Sequence, residues 1–386
     1  MANQATGRIL IIDDSEFNRN LIERQLRRSG YTVTTAIHGR EGLDYVQHQP
    51  FDTILLDLMM PEMDGFTVLQ QLKRDPQLRH IPVIIISAID EIDDVVRCIE
   101  AGAEDYLTKP INATLLRARV NACLERKRLR DREQAQLKVI QYELELGRRM
   151  QADFLPTQLP RVPGWEITAT FVPAREVAGD FYDAFVLPNQ RLVCFLGDVC
   201  DKGVGAALFM ALTRSLLRAF IEQAAAEGTD PLRAVAMTNE YIARHHHASR
   251  TFSTIFCAVV EPVSGLVRYI NAGHPAPFIM RADARIELLA LTGPAVGWIA
   301  DAQFTAGQVT LAHGDALLVY TDGVTEARTA AGELFGEARL LTTLQQVTGD
   351  AAHRLEAVRQ AVLDYSGRQQ PEDDLTMLVI ERRGNY

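Results

Sequence analysis

Five residues of the N-terminal third have types and positions suited to phosphoryl chemistry. Asp13 and Asp14 directly follow the apolar run Ile9–Ile12, and Asp57 closes the run Ile54–Leu56. Ser87 closes Val83–Ile86, and Lys109 follows Tyr106-Leu107. Unbroken Ile, Val and Leu are what strands buried on both faces require. Amphipathic stretches near 18–29, 64–74 and 91–101 lie between these runs, so residues 1–121 read as repeated βα units around a parallel sheet. In such sheets ligands bind outside the carboxyl ends of the strands. Three carboxylates, a hydroxyl and an ammonium are therefore expected on one rim. The carboxylates would repel one another strongly, and Mg²⁺, which prefers oxygen ligands and keeps waters, is the natural relief. With the cation in place, Asp57 can act as nucleophile toward a phosphoryl group, while Lys109 and Ser87 hold its oxygens.

A second set of acids stands at strand edges in the C-terminal part: Ala178-Gly179-Asp180-Phe181, Gly197-Asp198-Val199-Cys200-Asp201-Lys202-Gly203, Thr321-Asp322-Gly323 and Glu372-Asp373-Asp374-Leu375-Thr376. A strand that delivers Asp onto a turn builds a carboxylate cluster with open water positions, and glycine lets the backbone approach closely. One Gly-Asp pair alone is ordinary hairpin punctuation; four acidic signatures, each against a strand, point to a shared site. Four such acids are suited to two hard cations bridged by water, which can clamp a phosphate ester during in-line displacement. No serine or cysteine nucleophile motif is evident.

The chain that must position these groups has 386 residues, 47% hydrophobic and 23% charged, with a mean hydropathy of −0.05. That length suits two or three globular domains. The longest unbroken apolar run, 206–212, is far short of the ~20 residues of a membrane span. The start, MANQATGRILIIDD, lacks the pattern of a secretory signal. Five scattered cysteines form no CxxC pair, which favours reduced thiols in a cytoplasm. A net charge of −10 opposes a main role in gripping nucleic acid. Residues 122–155 hold no proline and one glycine. They read either as a solvated connector helix or as a short dimeric coiled coil with Leu137, Ile140 and Leu144 in its seam. The basic cluster 126–132 is interleaved with acids and reads as a solvated helix face. From 156 on, strand-like runs (165–172, 192–196, 255–260, 316–320) mix with two helical patterns. One places Val204, Ala207, Leu208, Ala211, Leu212, Ser215 and Ala219 on one face; the other spans 231–247. His245-His246-His247 reads as a helix end, since adjacent helical residues point apart, and His274 as structural.

Ile11-Ile12-Asp13-Asp14, the segment 56–65 (LDLMMPEMDG), Ser87-Ala88 and Thr108-Lys109-Pro110 together resemble the motif set of a two-component receiver domain over residues 8–121. The resemblance implies a flavodoxin-like α/β fold with a five-stranded parallel sheet, and phosphorylation of Asp57 by a sensor histidine kinase. It also implies Mg²⁺ held by Asp14, Asp57 and the Met59 carbonyl with help from Asp13, a switch pair of Ser87 and Tyr106, and a cis Lys109-Pro110 bond.

The segments 197–208 (GDVCDKGVGAAL), 271–277 (NAGHPAP), 321–327 (TDGVTEA) and 372–376 (EDDLT) resemble the PPM-type metal-dependent serine/threonine phosphatases. The similarity is to their bacterial partner-switching subgroup, over about 151–382 and including a preceding helix that ends near Gln151 and Leu155-Pro156. This implies an α+β fold, a β-sandwich flanked by helices. Carried over by motif, the ligands of two Mn²⁺ or Mg²⁺ are Asp180, Asp198, Asp322 and Asp373 with the Val199 carbonyl, Asp374 being the rival for the last place. Ala178 stands for the usual Gly, and Cys200-Asp201-Lys202 where Ser-Gly-His is commoner.

The expected organisation is a receiver (1–121), a helical linker (122–155) and a phosphatase domain (156–386). The expected function is that of a cytoplasmic, homodimeric response regulator. Phosphorylation on Asp57 would alter the hydrolysis of phosphoserine or phosphothreonine on a protein, with Asp198 and Asp322 central to catalysis. The resemblance implies a phosphorylated anti-sigma-factor antagonist of the STAS type as substrate, and neither nucleic acid nor membrane as partner. The alternative is a non-catalytic adaptor, opposed by the retention of four mutually repelling acids. A DNA-binding regulator would need a basic helix-turn-helix after residue 121, and none is visible.

Overall fold

The computed structural model describes residues 7–88, 92–246, 251–347 and 349–384. The chain forms two compact units, Met1–Ile140 and Gln141–Tyr386. In the first, β1 (Arg8–Ile12), α1 (Glu16–Arg28), β2 (Thr32–Ala36), α2 (Gly39–His48), β3 (Thr53–Asp57), α3 (Gly65–Arg74), β4 (Val83–Ser87), α4 (Ile92–Glu100) and β5 (Asp105–Thr108) lead into α5 (Ala113–Ala152). The sheet is parallel throughout, in the order β2-β1-β3-β4-β5. Strand residues alternate between two cores. Leu10, Ile54, Leu56 and Val83 pack against Val68, Leu69 and Leu72 of α3; Ile9, Ile11, Leu55 and Ile84 pack against Ile22 and Leu26 of α1 and Leu116 and Val120 of α5. Strand order reverses between β1 and β3, the point where a doubly wound sheet opens a crevice at its carboxyl edge. Asp13 and Asp57 stand there.

Helix α5 is continuous over 40 residues, about 60 Å at 1.5 Å per residue. Along it Leu129, Leu137, Val139, Ile140, Tyr142, Leu146 and Met150 are exposed. The basic cluster is largely ion-paired: Arg126 and Arg130 to Glu104, Lys127 to Asp52 and Asp131. This agrees with its reading as a solvated face.

The second unit contains β6 (Trp165–Val172), β7 (Phe181–Val186), β8 (Leu192–Val199), α6 (Val204–Ala226), α7 (Arg233–His245), β9 (Ser253–Val260), β10 (Leu266–Ala272), β11 (Phe278–Met280), β12 (Ile286–Leu288), β13 (Gly307–Thr310), β14 (Ala316–Tyr320), α8 (Asp322–Thr325), α9 (Gly336–Gln346), α10 (Ala351–Ser366) and β15 (Leu375–Arg382). Two five-stranded antiparallel sheets, β13-β10-β9-β8-β7 and β12-β11-β14-β15-β6, face each other. The alternation of side chains builds three layers of core. Leu192, Cys194 and Leu196 of β8 meet Leu317, Val319, Leu378 and Ile380 of the other sheet. Val193 and Phe195 turn outward to Met210, Leu217 and Ile221 of α6 and to Val235 of α7. Leu318, Tyr320, Met377 and Val379 turn the other way, onto Leu340 of α9 and Leu355 and Val358 of α10. The result is a β-sandwich with helices on both outer faces.

Helix α6 buries a different face from the expected one. Its buried residues are Ala206, Ala207, Phe209, Met210, Thr213, Leu217, Ile221 and Ala224, while Val204 and Leu208 are exposed. A helix apolar nearly all round gives a pattern search no unique face. By length and composition alone α6 is apolar enough to cross a membrane. Its packing onto β8, and the bonds of its Arg214 and Arg218 to Asp183 on β7, make it a core helix of this domain.

Candidate functional site

The first site lies at the carboxyl edge of the parallel sheet. One oxygen each from Asp13, Asp14 and Asp57 lies within 4.8 Å of the others. Asp13 is buried and held from behind: Ser15 N donates to its Oδ1 at 2.8 Å and Asn18 Nδ2 to its Oδ2 at 3.2 Å, while Arg19 Nη1 donates to the Asp13 and Asp14 carbonyls. Asp14 is exposed and the side chain of Met59 points to solvent. Asp57 is buried at the end of β3, and Lys109 Nζ donates to its Oδ1 at 2.8 Å and stands 3.7 Å from Asp13 Oδ2. Burial holds the Asp57 carboxyl up at about 6, with Asp13 and Asp14 adding to the rise and Lys109 opposing it. Burial also disfavours the Lys109 ammonium, but its bond to Asp57 and the surrounding acids leave its pKa raised. Ser87 Oγ is buried at the end of β4 with no hydrogen-bond partner among the described residues. An orphaned hydroxyl beside three carboxylates and an ammonium fits a cation and a phosphoryl group, whose oxygens would satisfy it. The Lys109-Pro110 bond is cis, as the resemblance implied. Tyr106 is partly exposed beside Ser87 around a cavity of about 250 Å³ that Val95, Val96 and Ile99 also line.

The second site lies at one end of the sandwich. Asp180 immediately precedes β7, and Asp198 and Val199 end its antiparallel neighbour β8. Asp322 follows β14, while Asp373 and Asp374 precede its antiparallel neighbour β15. Hydroxyls join the two sheets here: Thr321 Oγ1 donates to Asp180 Oδ2 at 2.8 Å, and Thr376 Oγ1 donates to the same oxygen at 2.5 Å. A side chain at Gly323 would put its Cβ 2.1 Å from the Asp374 carbonyl, so only glycine allows this approach of the two loops. Asp180 is buried, and burial followed by the charges of Asp198 and Asp374 pushes its pKa well up. Burial and Asp322 push Asp198 up to about 7, and burial and Asp373 push Asp322 up to about 6.

The two adjacent acids differ. Asp374 Oδ1 accepts from Ala174 N at 2.8 Å and its Oδ2 from Gly179 N at 2.7 Å. Asp373 Oδ2 instead faces Lys202 Nζ at 2.8 Å. Among the described residues, no three of these acids close to within 4.8 Å of one another as the receiver trio does. The donor set is nonetheless all oxygen, open on one side and short of positive charge, which suits hard cations.

Sequence reasoning did not assign Lys202, the Thr321/Thr376 pair, or the Gln151 contact described below. The break from Ser-Gly-His to Cys-Asp-Lys was the one visible signal for Lys202. His274 is buried, with Nδ1 2.9 Å from Thr254 Oγ1, and burial pushes its pKa down to about 3. Burial thus disfavours the charged imidazole. His245 and His246 lie beside the Tyr241 ring, and His247 lies outside the described residues.

The two-sheet phosphatase architecture and the receiver sheet define the class of this chain. It belongs to the SpoIIE family: the family model Stage II sporulation protein E (SpoIIE) matches residues 188–383, and the response regulator receiver domain model matches residues 9–121. The chain is thus a receiver domain joined to a SpoIIE-type PPM phosphatase domain. It is 40% identical over 262 residues to Protein IcfG of Synechocystis sp., covering 62% of this chain and 41% of that protein; the chain thus spans about two-fifths of the length of that relative. Among solved structures, the RsbU and RsbW domains of Rv1364c from Mycobacterium tuberculosis match with 28% identity and a TM-score of 0.52, covering 60% of this chain and 63% of that one. The SiaA-PP2C domain of Pseudomonas aeruginosa shares the fold, with a TM-score of 0.56 at 22% identity, covering 64% of this chain and 98% of that one.

Proposed function

We propose that this protein is a cytoplasmic response regulator with an enzymatic output: a sensor histidine kinase phosphorylates Asp57, and the state of Asp57 sets the rate at which the C-terminal domain hydrolyses phosphoserine or phosphothreonine on a partner protein. The observation that carries the catalytic half is the gathering of Asp180, Asp198 and Asp322 at one end of the sandwich, where burial first and then neighbouring carboxylates raise the pKa of each. A site this costly in the absence of cations is one built to hold them. Asp180, Asp198, Asp322 and Asp373, with the Val199 carbonyl, would hold two Mn²⁺ or Mg²⁺. Those ions would supply an acidified water and charge neutralisation for an in-line displacement at phosphorus. The chain's own residues fix the carboxylates through Thr321, Thr376 and the Gly323 turn, and Lys202 brings a cation to the rim where a phosphate would enter.

In the receiver, Asp13, Asp14, Asp57 and the Met59 carbonyl would hold Mg²⁺, with Lys109 and Ser87 receiving the phosphoryl oxygens. A solved relative joins RsbU and RsbW domains in one chain, which supports a partner-switching role, with a phosphorylated STAS-type anti-sigma-factor antagonist as substrate. The exposed apolar residues of α5 support a homodimer paired through residues 122–155, between a receiver of 1–121 and a phosphatase domain of 156–386. The adaptor reading has one observation on its side: the Lys202 ammonium sits on Asp373 and must leave if a cation is to bind there. Release of phosphate from a phosphoserine protein separates the two readings. The enzyme reading expects release that depends on Mn²⁺ and is lost in Asp198→Ala; the adaptor reading expects none under any metal.

A further inference from the structure

Near its end, helix α5 buries a polar side chain. Gln151 is 8% exposed, whereas Arg148, Arg149, Met150 and Ala152 around it are exposed. Its amide is satisfied at both ends by one residue: Nε2 donates to the Ala178 carbonyl at 2.6 Å, and Oε1 accepts from Ala178 N at 2.9 Å. A primary amide offers a donor and an acceptor on one planar group; an ionised glutamate lacks the donor and a methionine lacks both. One turn earlier on the same face, the Cβ position of Gly147 stands 3.6 Å from Val177 Cγ1, so the helix runs against residues 177–178.

The other side of this segment abuts the acids. Gly179 N donates to Asp374 Oδ2 at 2.7 Å, and the Cβ position of Gly179 lies 3.1 Å from the Val199 carbonyl and 3.4 Å from Asp198 Oδ1. Residues 178–179 are therefore clamped between Gln151 and Asp374, and the next residue is Asp180. We propose that Gln151 is a positioning residue of the phosphatase site: by gripping Ala178 it holds the Asp180 loop against Asp198 and Val199, making the end of α5 part of the frame of the metal centre. This rests on the reading of Asp180 and Asp198 as metal ligands. A rotation or withdrawal of the α5 terminus would break both amide bonds and move the loop, so the helix has a direct purchase on cation affinity.

The test is Mn²⁺ binding to the full-length metal-free protein by titration calorimetry, with Asp180→Asn defining which part of the isotherm belongs to this site. Gln151→Met keeps the shape and removes both bonds; Gln151→Glu keeps only the acceptor. Groups that orient metal ligands typically matter ~10–100-fold in affinity. The expected result is a loss of that order in Gln151→Met, with its metal-free melting temperature within a few degrees of wild type, and at least as large a loss in Gln151→Glu, whose carboxylate would face the Ala178 carbonyl, acceptor against acceptor. Wild-type affinity in Gln151→Met, beside a loss in Asp180→Asn, would overturn the proposal and leave the metal reading standing. Unfolding of both Gln151 variants would also overturn it, because the pair would then hold the domain together rather than aim a ligand. An isotherm unchanged in Asp180→Asn would remove the metal reading and the inference with it.

Discussion

The carboxylate of Asp374 accepts backbone N–H bonds on both oxygens, while that of its neighbour Asp373 faces the Lys202 ammonium at 2.8 Å. Two consecutive acids thus stand in different chemical settings, one tying loops and the other lining the open side of the site. Asp373→Ala should weaken Mn²⁺ binding about tenfold or more, with little change in metal-free stability. Asp374→Ala should instead leave the amides of Ala174 and Gly179 without acceptors and lower the unfolding free energy, on the order of 1–3 kcal/mol. Calorimetric titration and thermal melts of both variants check this; the opposite pattern would exchange the roles.

Asp57→Asn should abolish acid-labile labelling by acetyl phosphate while the fold survives, since the amide fits the space beside Lys109 but is no nucleophile. Labelling at the wild-type level would mean the phosphoacceptor is another residue.

The acids of the second site give a pH dependence with a definite sign. Burial and Asp322 hold Asp198 at about 7 in the metal-free fold, against about 3.9 in an unfolded chain. The native state therefore binds the extra proton, and the stabilisation from it is full below about pH 4 and lost as pH rises through 7. Asp198→Asn removes this titration. Its metal-free melting temperature should move above that of wild type as pH rises from about 4 to 7, with the gap level above 7. A gap that did not vary with pH would contradict the assigned repulsion.

Strand ends were legible where the strands were. Ile9–Ile12, 54–56 and 83–86 are unbroken apolar runs because both faces of a central parallel strand are buried, and that placed Asp13, Asp57 and Ser87 at once. Strand β2, Thr-Val-Thr-Thr-Ala, lies at the sheet edge, where one side needs no apolar cover, and it escaped the pattern. In the second unit β8 and β14 read clearly, whereas three-residue β11 and β12 and helices α9 and α10 carry too little periodicity to stand out. The acids were found through their Gly-Asp turns, but nothing local distinguishes Asp373 from Asp374. Asp374 is set apart by Ala174 and Gly179, about 200 residues away, and Asp373 by Lys202. The role of Gln151 is not legible in the sequence, because its partner, Ala178, is set by tertiary packing.

Leu137 and Ile140 are exposed on α5, with Leu144 half-buried, the spacing of a short seam. Replacing Ile140 and Leu144 together by lysine should convert a dimer to a monomer in sedimentation and remove the effect of beryllofluoride on activity, leaving the basal phosphatase rate. A wild-type protein that is monomeric with and without beryllofluoride would rule out this pairing.

Hydrolysis of p-nitrophenyl phosphate by the full-length protein with and without Mn²⁺, before and after beryllofluoride, tests the proposed reaction most directly. Turnover should require the metal, fall about 100-fold or more in Asp322→Ala, as loss of a ligand and its charge should cause, and change with beryllofluoride in wild type but not in Asp57→Asn. Equal turnover in wild type and Asp322→Ala, or none with any divalent cation, would contradict it.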